Sequence, residues 1–379
     1  MTKPAVAFVA GARPNFMKIA PVLRAVDELQ PPFEPVIVHT GQHYSAELSD
    51  VFFEQLGIRA PDVHLDAGSG THGQQTARVL EAFEGFLLRE SSRIAAVMVV
   101  GDVNSTIAAT LAASKLQIPA IHLEAGLRSF DRGMPEEINR LATDAISDLL
   151  LVSEPAGEEN LRNEGVPASR VRYVGNVMID TLIHHLAQTD NFDTGFDGRE
   201  FALVTLHRPS NVDRYDSLAK IADFLIQLAD AVEIAFPVHP RTRNRLEEFA
   251  LLNRLESHPA IHLYPPLGYV ENLGLMRNAS LVLTDSGGIQ EETSYLSIPC
   301  LTLRENTERP ATLSHGSNTL VGMDFSKAAR LVCEILNHSY RKSSPIPGWD
   351  GRAAYRVVAE LASFLENRDV VQATFQAHR

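Results

Sequence analysis

Three observations predict an α/β fold with two doubly wound parallel sheets. Short runs that are apolar on both faces alternate with longer segments of helical period almost from end to end. Strands buried on both faces belong to parallel sheets covered by helices. A polar, aperiodic stretch, Gln188–Glu200, divides this alternation into two halves, each large enough for its own sheet. A length of 379 residues also suits two domains of roughly 150 residues each.

The first half opens on the strand Ala5–Ala10. The turn Gly11–Asn15 leads into a helix over Phe16–Leu29, in which Pro21 is expected to cause a kink. The strands Pro35–Thr40, Ala95–Val100, Ile118–Leu123, Asp148–Ser153 and Val171–Val174 follow, rich in Val, Ile, Leu and Ala. Between them, apolar residues return every third or fourth position over Gln74–Leu88, Ser105–Lys115 and Glu136–Ile146, the spacing of a buried helix face. The second half repeats the scheme with strands Phe201–Thr205, Val232–Val238, Ile261–Tyr264, Leu281–Thr284 and Cys300–Leu303. Its helices are expected over Leu218–Ala229 and Gly288–Leu296, and a Ser/Pro/Gly-rich segment, Lys342–Gly351, precedes a last helix, Arg352–Leu365.

Apolar residues make up 45% and charged residues 21%, as in a packed globular protein. The net charge of −13 argues against general nucleic-acid binding, which needs surplus Lys and Arg to neutralise phosphates. A local basic pocket for a small phosphorylated ligand remains compatible with it. The two cysteines, Cys300 and Cys333, supply neither a disulfide framework nor a thiolate zinc site, and are expected to be small core residues. There is no His-x-x-x-His pair either, so no metal site is expected. The longest apolar run, Ile94–Val100, is too short to cross a bilayer, which points to a cytoplasmic protein with no membrane partner.

In open parallel sheets, ligands bind beyond the carboxyl ends of the strands, where strand-to-helix loops gather and helix N-termini point inward. The unusual polar residues of this chain fall at those ends. They are Gly11–Asn15 with Arg13, Gly41-Gln42-His43, Gly101-Asp102, and His122 to Gly126 with Glu124. The second half adds His207-Arg208, His239-Pro240-Arg241, Asp285-Ser286-Gly287-Gly288 and the loop Arg304–Arg309. A shared cleft between the two sheets is therefore expected.

At Asp285–Glu292 an apolar strand runs into two glycines that open a helix, leaving its first amides unshielded for an anion such as a pyrophosphate. Glu292, a turn further in, could accept from ribose hydroxyls; the alternative is a plain capped helix with Asp285 or Ser286 as N-cap. Arg13 and Lys18 could neutralise a leaving phosphate, although Lys18 could equally lie on a solvated helix face. Asp102, Glu124 and Glu136 gather three carboxylates in the first half, and repulsion among them would leave one able to hold a proton for acid–base work. Asp102 near a helix start and Glu136 after Pro135 also have purely structural readings. His207 would face the cleft from the second half.

Taken together, Gly11-Ala12-Arg13-Pro14…Lys18, Gly101-Asp102, His122-Leu123-Glu124-Ala125-Gly126-Leu127-Arg128, Pro135-Glu136-Glu137-Ile138-Asn139-Arg140, Asp285 to Glu292 and Thr307-Glu308-Arg309-Pro310 resemble the non-hydrolysing UDP-N-acetylglucosamine 2-epimerases, in order over nearly the whole chain. The resemblance implies two Rossmann-like domains in the glycosyltransferase-B arrangement with an interdomain cleft. The expected division is 1–174 with the last helix, 352–370, and 175–351. It further implies reversible conversion of UDP-N-acetylglucosamine to UDP-N-acetylmannosamine for cell-envelope polysaccharide, by elimination of UDP to a 2-acetamidoglucal and its re-addition, without metal or redox cofactor. By matching position, Asp102, Glu124, Glu136 and His207 would form the catalytic group, and Arg13, Lys18, His239, Ser286, Gly287, Gly288, Glu292 and Arg309 would hold the substrate. A homodimer is the family expectation.

Two segments depart from the pattern: Arg208-Pro209-Ser210-Asn211 after His207, and Tyr44-Ser45 after Gln42-His43. Both regions bear on sugar recognition in relatives, so a UDP-2,3-diacetamido-2,3-dideoxy-glucuronate 2-epimerase, or a hydrolysing epimerase releasing ManNAc and UDP, are the alternative activities. A UDP-sugar glycosyltransferase would rarely need three carboxylates, and a regulatory protein would not need them intact.

Overall fold

The structure, a computed structural model, describes residues 3–41, 53 and 56–377, with side chains through residue 368. The turn Gln42-His43-Tyr44-Ser45 lies outside the described residues. The chain divides into two compact units, Met1–Thr181 with Pro347–Arg379, and Leu182–Ile346.

The first unit holds a seven-stranded sheet of β1 (Ala5–Ala10), β2 (Glu34–His39), β3 (Val63–His64), β4 (Ile94–Val100), β5 (Ala120–Ala125), β6 (Leu149–Val152) and β7 (Val171–Tyr173). Its spatial order is β3-β2-β1-β4-β5-β6-β7, and neighbouring strands are parallel. Every residue of the central strand β1 is buried, as its unbroken apolar run requires. One face of the sheet packs Phe8, Ile19 and Val22 with Val357, Val358 and Leu361 of the last helix, Ala353–Ala377. The other face packs Val9, Phe83, Phe86 and Ala112. The second unit holds β8 (Phe201–Thr205), β9 (Glu233–Pro237), β10 (Ile261–Tyr264), β11 (Leu281–Thr284), β12 (Cys300–Thr302) and β13 (Asn318–Leu320). They form a parallel sheet of order β10-β9-β8-β11-β12-β13. The expected α/β class with two parallel sheets is thus the observed one.

In each sheet the strand order reverses once, between β1 and β4 and between β8 and β11. A crevice opens at such a switch point because adjacent loops leave toward opposite faces. The loops carrying Arg13, Asp102, His207 and Ser286 lead out of these four strands.

Several local expectations need correction. The strands β3 and β13 add to the expected set: they are edge strands of two and three residues that carry His64, Asn318 and Thr319 instead of an apolar run. Cys333 is exposed on the helix Phe325–Leu336, whereas Cys300 is buried in β12. The helix Arg13–Leu29 starts earlier than expected and continues through Pro21. Proline removes the amide that the Met17 carbonyl would accept from, and the Thr181 hydroxyl donates to that carbonyl instead at 2.6 Å. The stretch Gln188–Glu200 belongs to the second unit, where Phe196 is buried and stacks on Phe201 with ring centroids 4.4 Å apart. Among the described residues no helix is long and apolar enough to cross a membrane.

Candidate active site

In the first unit the strand-end loops meet around one buried ion pair. Lys18 comes from the helix after β1 and Glu124 from the end of β5; both are buried, and the ammonium donates to Glu124 Oε2. The solvated-face alternative for Lys18 is therefore removed. Glu124 has φ +74°, and the pairing of β5 with β6 slips between Leu123 and Ala125. A left-handed, bulged glutamate is an uncommon backbone state that costs free energy, and here it aims the carboxylate at Lys18. Gly101, at φ +68°, leaves space above the pair: a Cβ there would lie 3.3 Å from Lys18 Nζ and 3.5 Å from Glu124 Oε2. Asn15 fixes the neighbouring turn, accepting from the Gly11 and Ala12 amides at 3.2 and 3.0 Å and donating to the Val100 carbonyl at 3.0 Å.

Asp102 follows Gly101, and its side chain is 28% exposed. Arg140 Nη2 donates to its Oδ2 at 2.6 Å, and Asn139 Nδ2 donates to its backbone carbonyl at 2.9 Å. Glu136 stands half-buried in the first turn of the helix Pro135–Ile146, and no hydrogen bond or ion pair holds its carboxylate among the described residues. Arg13 is exposed at the first position of its helix. Beneath these groups His122 is fully buried, with Nδ1 2.6 Å from Asp144 Oδ1 and Nε2 2.8 Å from the Gly101 carbonyl. Asp144 also accepts from the Gly126 amide at 3.0 Å and pairs with Arg128 at 2.7 Å. Burial alone would raise the Asp144 carboxyl, but His122 and Arg128 beside it hold it below its ordinary value. One buried carboxylate thereby braces the loops after both β4 and β5.

In the second unit Asp285 is fully buried and serves as a clamp, not as a helix cap. It accepts from the His207 amide at 3.1 Å, the Arg208 amide at 2.9 Å and Asn211 Nδ2 at 3.0 Å. His207 Nδ1 lies 3.2 Å from Asp285 Oδ1, and its ring lies against His239 with centroids 5.5 Å apart. Burial pushes both imidazoles below their ordinary value, that of His207 against the pull of Asp285, which favours the neutral, proton-accepting form.

Ser286 is the N-cap of the helix Gly287–Leu296 and makes no side-chain cap bond, so its hydroxyl does not occupy the first helical amides. Ser286, Gly287 and Gly288 are all half-buried. A Cβ at Gly287 would fall 2.6 Å from Arg309 Nη1, so glycine is required for that guanidinium to approach. Arg309 pairs with Glu291 at 2.8 Å and with Glu308, and Glu308 also accepts from Arg304 at 2.7 Å. Arg304, Glu308 and Arg309 are all buried, so these ion pairs lie inside the unit and not on a solvated loop surface. Glu292 is buried and accepts from the Tyr269 hydroxyl at 2.8 Å; burial pushes its carboxyl up to about 7.

The structure thus pairs Lys18 with Glu124, Asp102 with Arg140, His207 with His239, and Arg309 with the diglycine turn. Sequence reading assigns no role to the supporting residues Asn15, Glu137, Asp144 and Asn211. Of these, Glu137 carries a pairing signal, an i,i+3 spacing to Arg140 on a helix.

The family model described as UDP-N-acetylglucosamine 2-epimerase matches residues 26–362. The UDP-N-acetylglucosamine 2-epimerase of Methanocaldococcus jannaschii is 40% identical over 362 residues, covering 93% of this chain and 97% of that protein. The UDP-2,3-diacetamido-2,3-dideoxy-D-glucuronate 2-epimerase of Pseudomonas aeruginosa is also 40% identical, over 358 residues, covering 93% and 98%. The crystal structure of the M. jannaschii enzyme in complex with UDP-GlcNAc and UDP superposes with a TM-score of 0.86, covering 95% of this chain and 99% of that one.

Proposed function

The chain belongs to the UDP-N-acetylglucosamine 2-epimerase family, and on that premise we propose that it inverts C2 of a UDP-N-acetylhexosamine, interconverting UDP-GlcNAc and UDP-ManNAc. The C2 hydrogen of such a sugar has no carbonyl beside it in the ring, so direct deprotonation is slow. In the proposed route the C1–O bond breaks first, its electron pair leaving with UDP. The oxocarbenium character left at C1 acidifies C2–H. Loss of that proton to a carboxylate forms the C1=C2 bond of a 2-acetamidoglucal. Return of a proton to the opposite face of C2 and of UDP to C1 completes the inversion.

In this reading Asp102, Glu124, Glu136 and His207 shuttle the proton and stabilise the cationic C1, while Lys18 orients Glu124. Ser286, Gly287, Gly288, Glu292, Arg309, Arg13 and His239 hold the nucleotide and its diphosphate. Exclusion of water from the sugar would keep the intermediate from being hydrolysed, making the enzyme a non-hydrolysing isomerase. A cytoplasmic homodimer supplying cell-envelope polysaccharide completes the proposal. The observation that carries it is the buried Lys18–Glu124 pair, held at a bulged strand end next to Gly101-Asp102. A second reading, the diacetamido-glucuronate substrate, is favoured by the P. aeruginosa relative at the same identity.

Proton NMR of the enzyme with UDP-GlcNAc in heavy water tests the proposal. It predicts UDP-ManNAc carrying deuterium at C2. Free ManNAc would mark a hydrolysing enzyme, and an unchanged spectrum with UDP-GlcNAc but turnover of the diacetamido sugar would select the second substrate.

A further inference from the structure

We propose that Arg140 and Glu137 are positioning residues that set the orientation of the Asp102 carboxylate; the inference rests on the acid–base role proposed for Asp102. The guanidinium of Arg140, whose side chain is 3% exposed, bridges two carboxylates of different kinds. Its Nη1 donates to Glu137 Oε2 at 2.6 Å and its Nη2 to Asp102 Oδ2 at 2.6 Å. Glu137 is buried and anchored by the loop before its helix. Its Oε2 accepts from the Ser129 amide at 2.9 Å and the Ser129 hydroxyl at 3.0 Å, and its Oε1 from the Phe130 amide at 3.0 Å. That loop is itself held in an uncommon state, with Phe130 at φ +58°. A carboxylate fixed by three donors from one loop is a rigid mount, and the planar fork of arginine transfers that rigidity to whatever its other nitrogen holds. Asp102, at 28% exposed, is the end of the chain that reaches toward solvent. The adjacent Asn139 holds the Asp102 carbonyl, so one helical turn secures both the backbone and the side chain of this residue. An ion pair that served stability alone would not need to end on a partly exposed carboxylate at a sheet switch point.

A double-mutant cycle on kcat decides the matter. Arg140→Lys keeps the cation between the two carboxylates and loses the fork, and Glu137→Gln keeps the shape and loses the charge. Each is expected to lower kcat about 10- to 100-fold while KM for the UDP-sugar moves less than about 3-fold. In an Asp102→Asn background, either change is expected to cost less than about 3-fold further, because a residue acting through Asp102 has nothing left to orient. Losses that multiply in the double variants would overturn the inference, as would wild-type kcat in both single variants. Should Asp102→Asn alone turn over at the wild-type rate, the acid–base reading fails and the inference falls with it, a result the single variant distinguishes from the other two. If one supporting variant does not fold, as judged by its melting transition, the other carries the cycle.

Discussion

In the first unit ion pairs between side chains join the helix after β1 to the end of β5, Lys18 to Glu124, and the helix Pro135–Ile146 to the loop after β4, Arg140 to Asp102. In the second, the loops after β8 and β11 are joined through the backbone, with Asp285 accepting the His207 and Arg208 amides and a helix N-terminus left open at Ser286-Gly287. The two sheets share a parallel topology with one reversal of strand order each, so the difference lies in the chemistry placed at the same topological position. Opposed side-chain charges suit a site that moves protons, since their protonation states respond to one another. Fixed amides and a buried arginine suit a site that holds an anion without exchanging a proton with it.

The largest expected effect tests the brace of the first unit. Asp144→Asn leaves Arg128 and His122 without their buried carboxylate and is expected to cost about 3–5 kcal/mol in urea unfolding. Asp285→Asn, which weakens bonds mainly to neutral amides, is expected to cost about 1–3 kcal/mol. Equal losses would erase the distinction between a charge brace and a backbone clamp.

The architecture was legible because parallel strands buried on both faces must be apolar throughout, as in Ala5–Ala10 and Leu281–Thr284. The candidate site stands out in the sequence where a residue type is costly anywhere else: a diglycine opening a helix, or a glutamate closing a strand. What escaped was second-layer support. Nothing in the sequence marks Asp144, because its role depends on the fold bringing the helix Pro135–Ile146 against β5, where its carboxylate reaches His122. The position of Lys18 after β1 points to an anion, whereas its partner lies 106 residues away and no spacing reveals it.

The next effect concerns turnover. Asp102→Asn or Glu124→Gln is expected to lower kcat at least about a hundredfold, about 2.7 kcal/mol in the barrier, as for loss of a general acid–base group. Near-wild-type rates in steady-state assays would remove these residues from the mechanism and leave the first unit's ion pairs merely structural.

The most gradual effect is a pH dependence in the second unit. Burial raises Glu292 from its ordinary 4.5 to about 7, so between these values the folded chain holds a proton that the unfolded chain has released. This group therefore makes the fold less stable as pH rises through that window, with a slope of at most about 1.4 kcal/mol per pH unit. Glu292→Gln, which mimics the protonated form, should flatten the urea midpoint of the wild type between pH 5 and 7. An unchanged pH profile would mean that Glu292 is ionised throughout.

Calorimetric titration of UDP into two single variants, one from each unit, tests most directly whether the diglycine turn holds the anion while Asp102 moves the proton. Gly287→Ala, whose Cβ would displace Arg309 from the turn, is expected to weaken UDP at least about tenfold. Asp102→Asn is expected to bind UDP within about threefold of the wild type although its turnover is lost. If Asp102→Asn loses the nucleotide as severely as Gly287→Ala does, anion holding at the diglycine turn and proton transfer at Asp102 are not separate tasks, and the account is wrong.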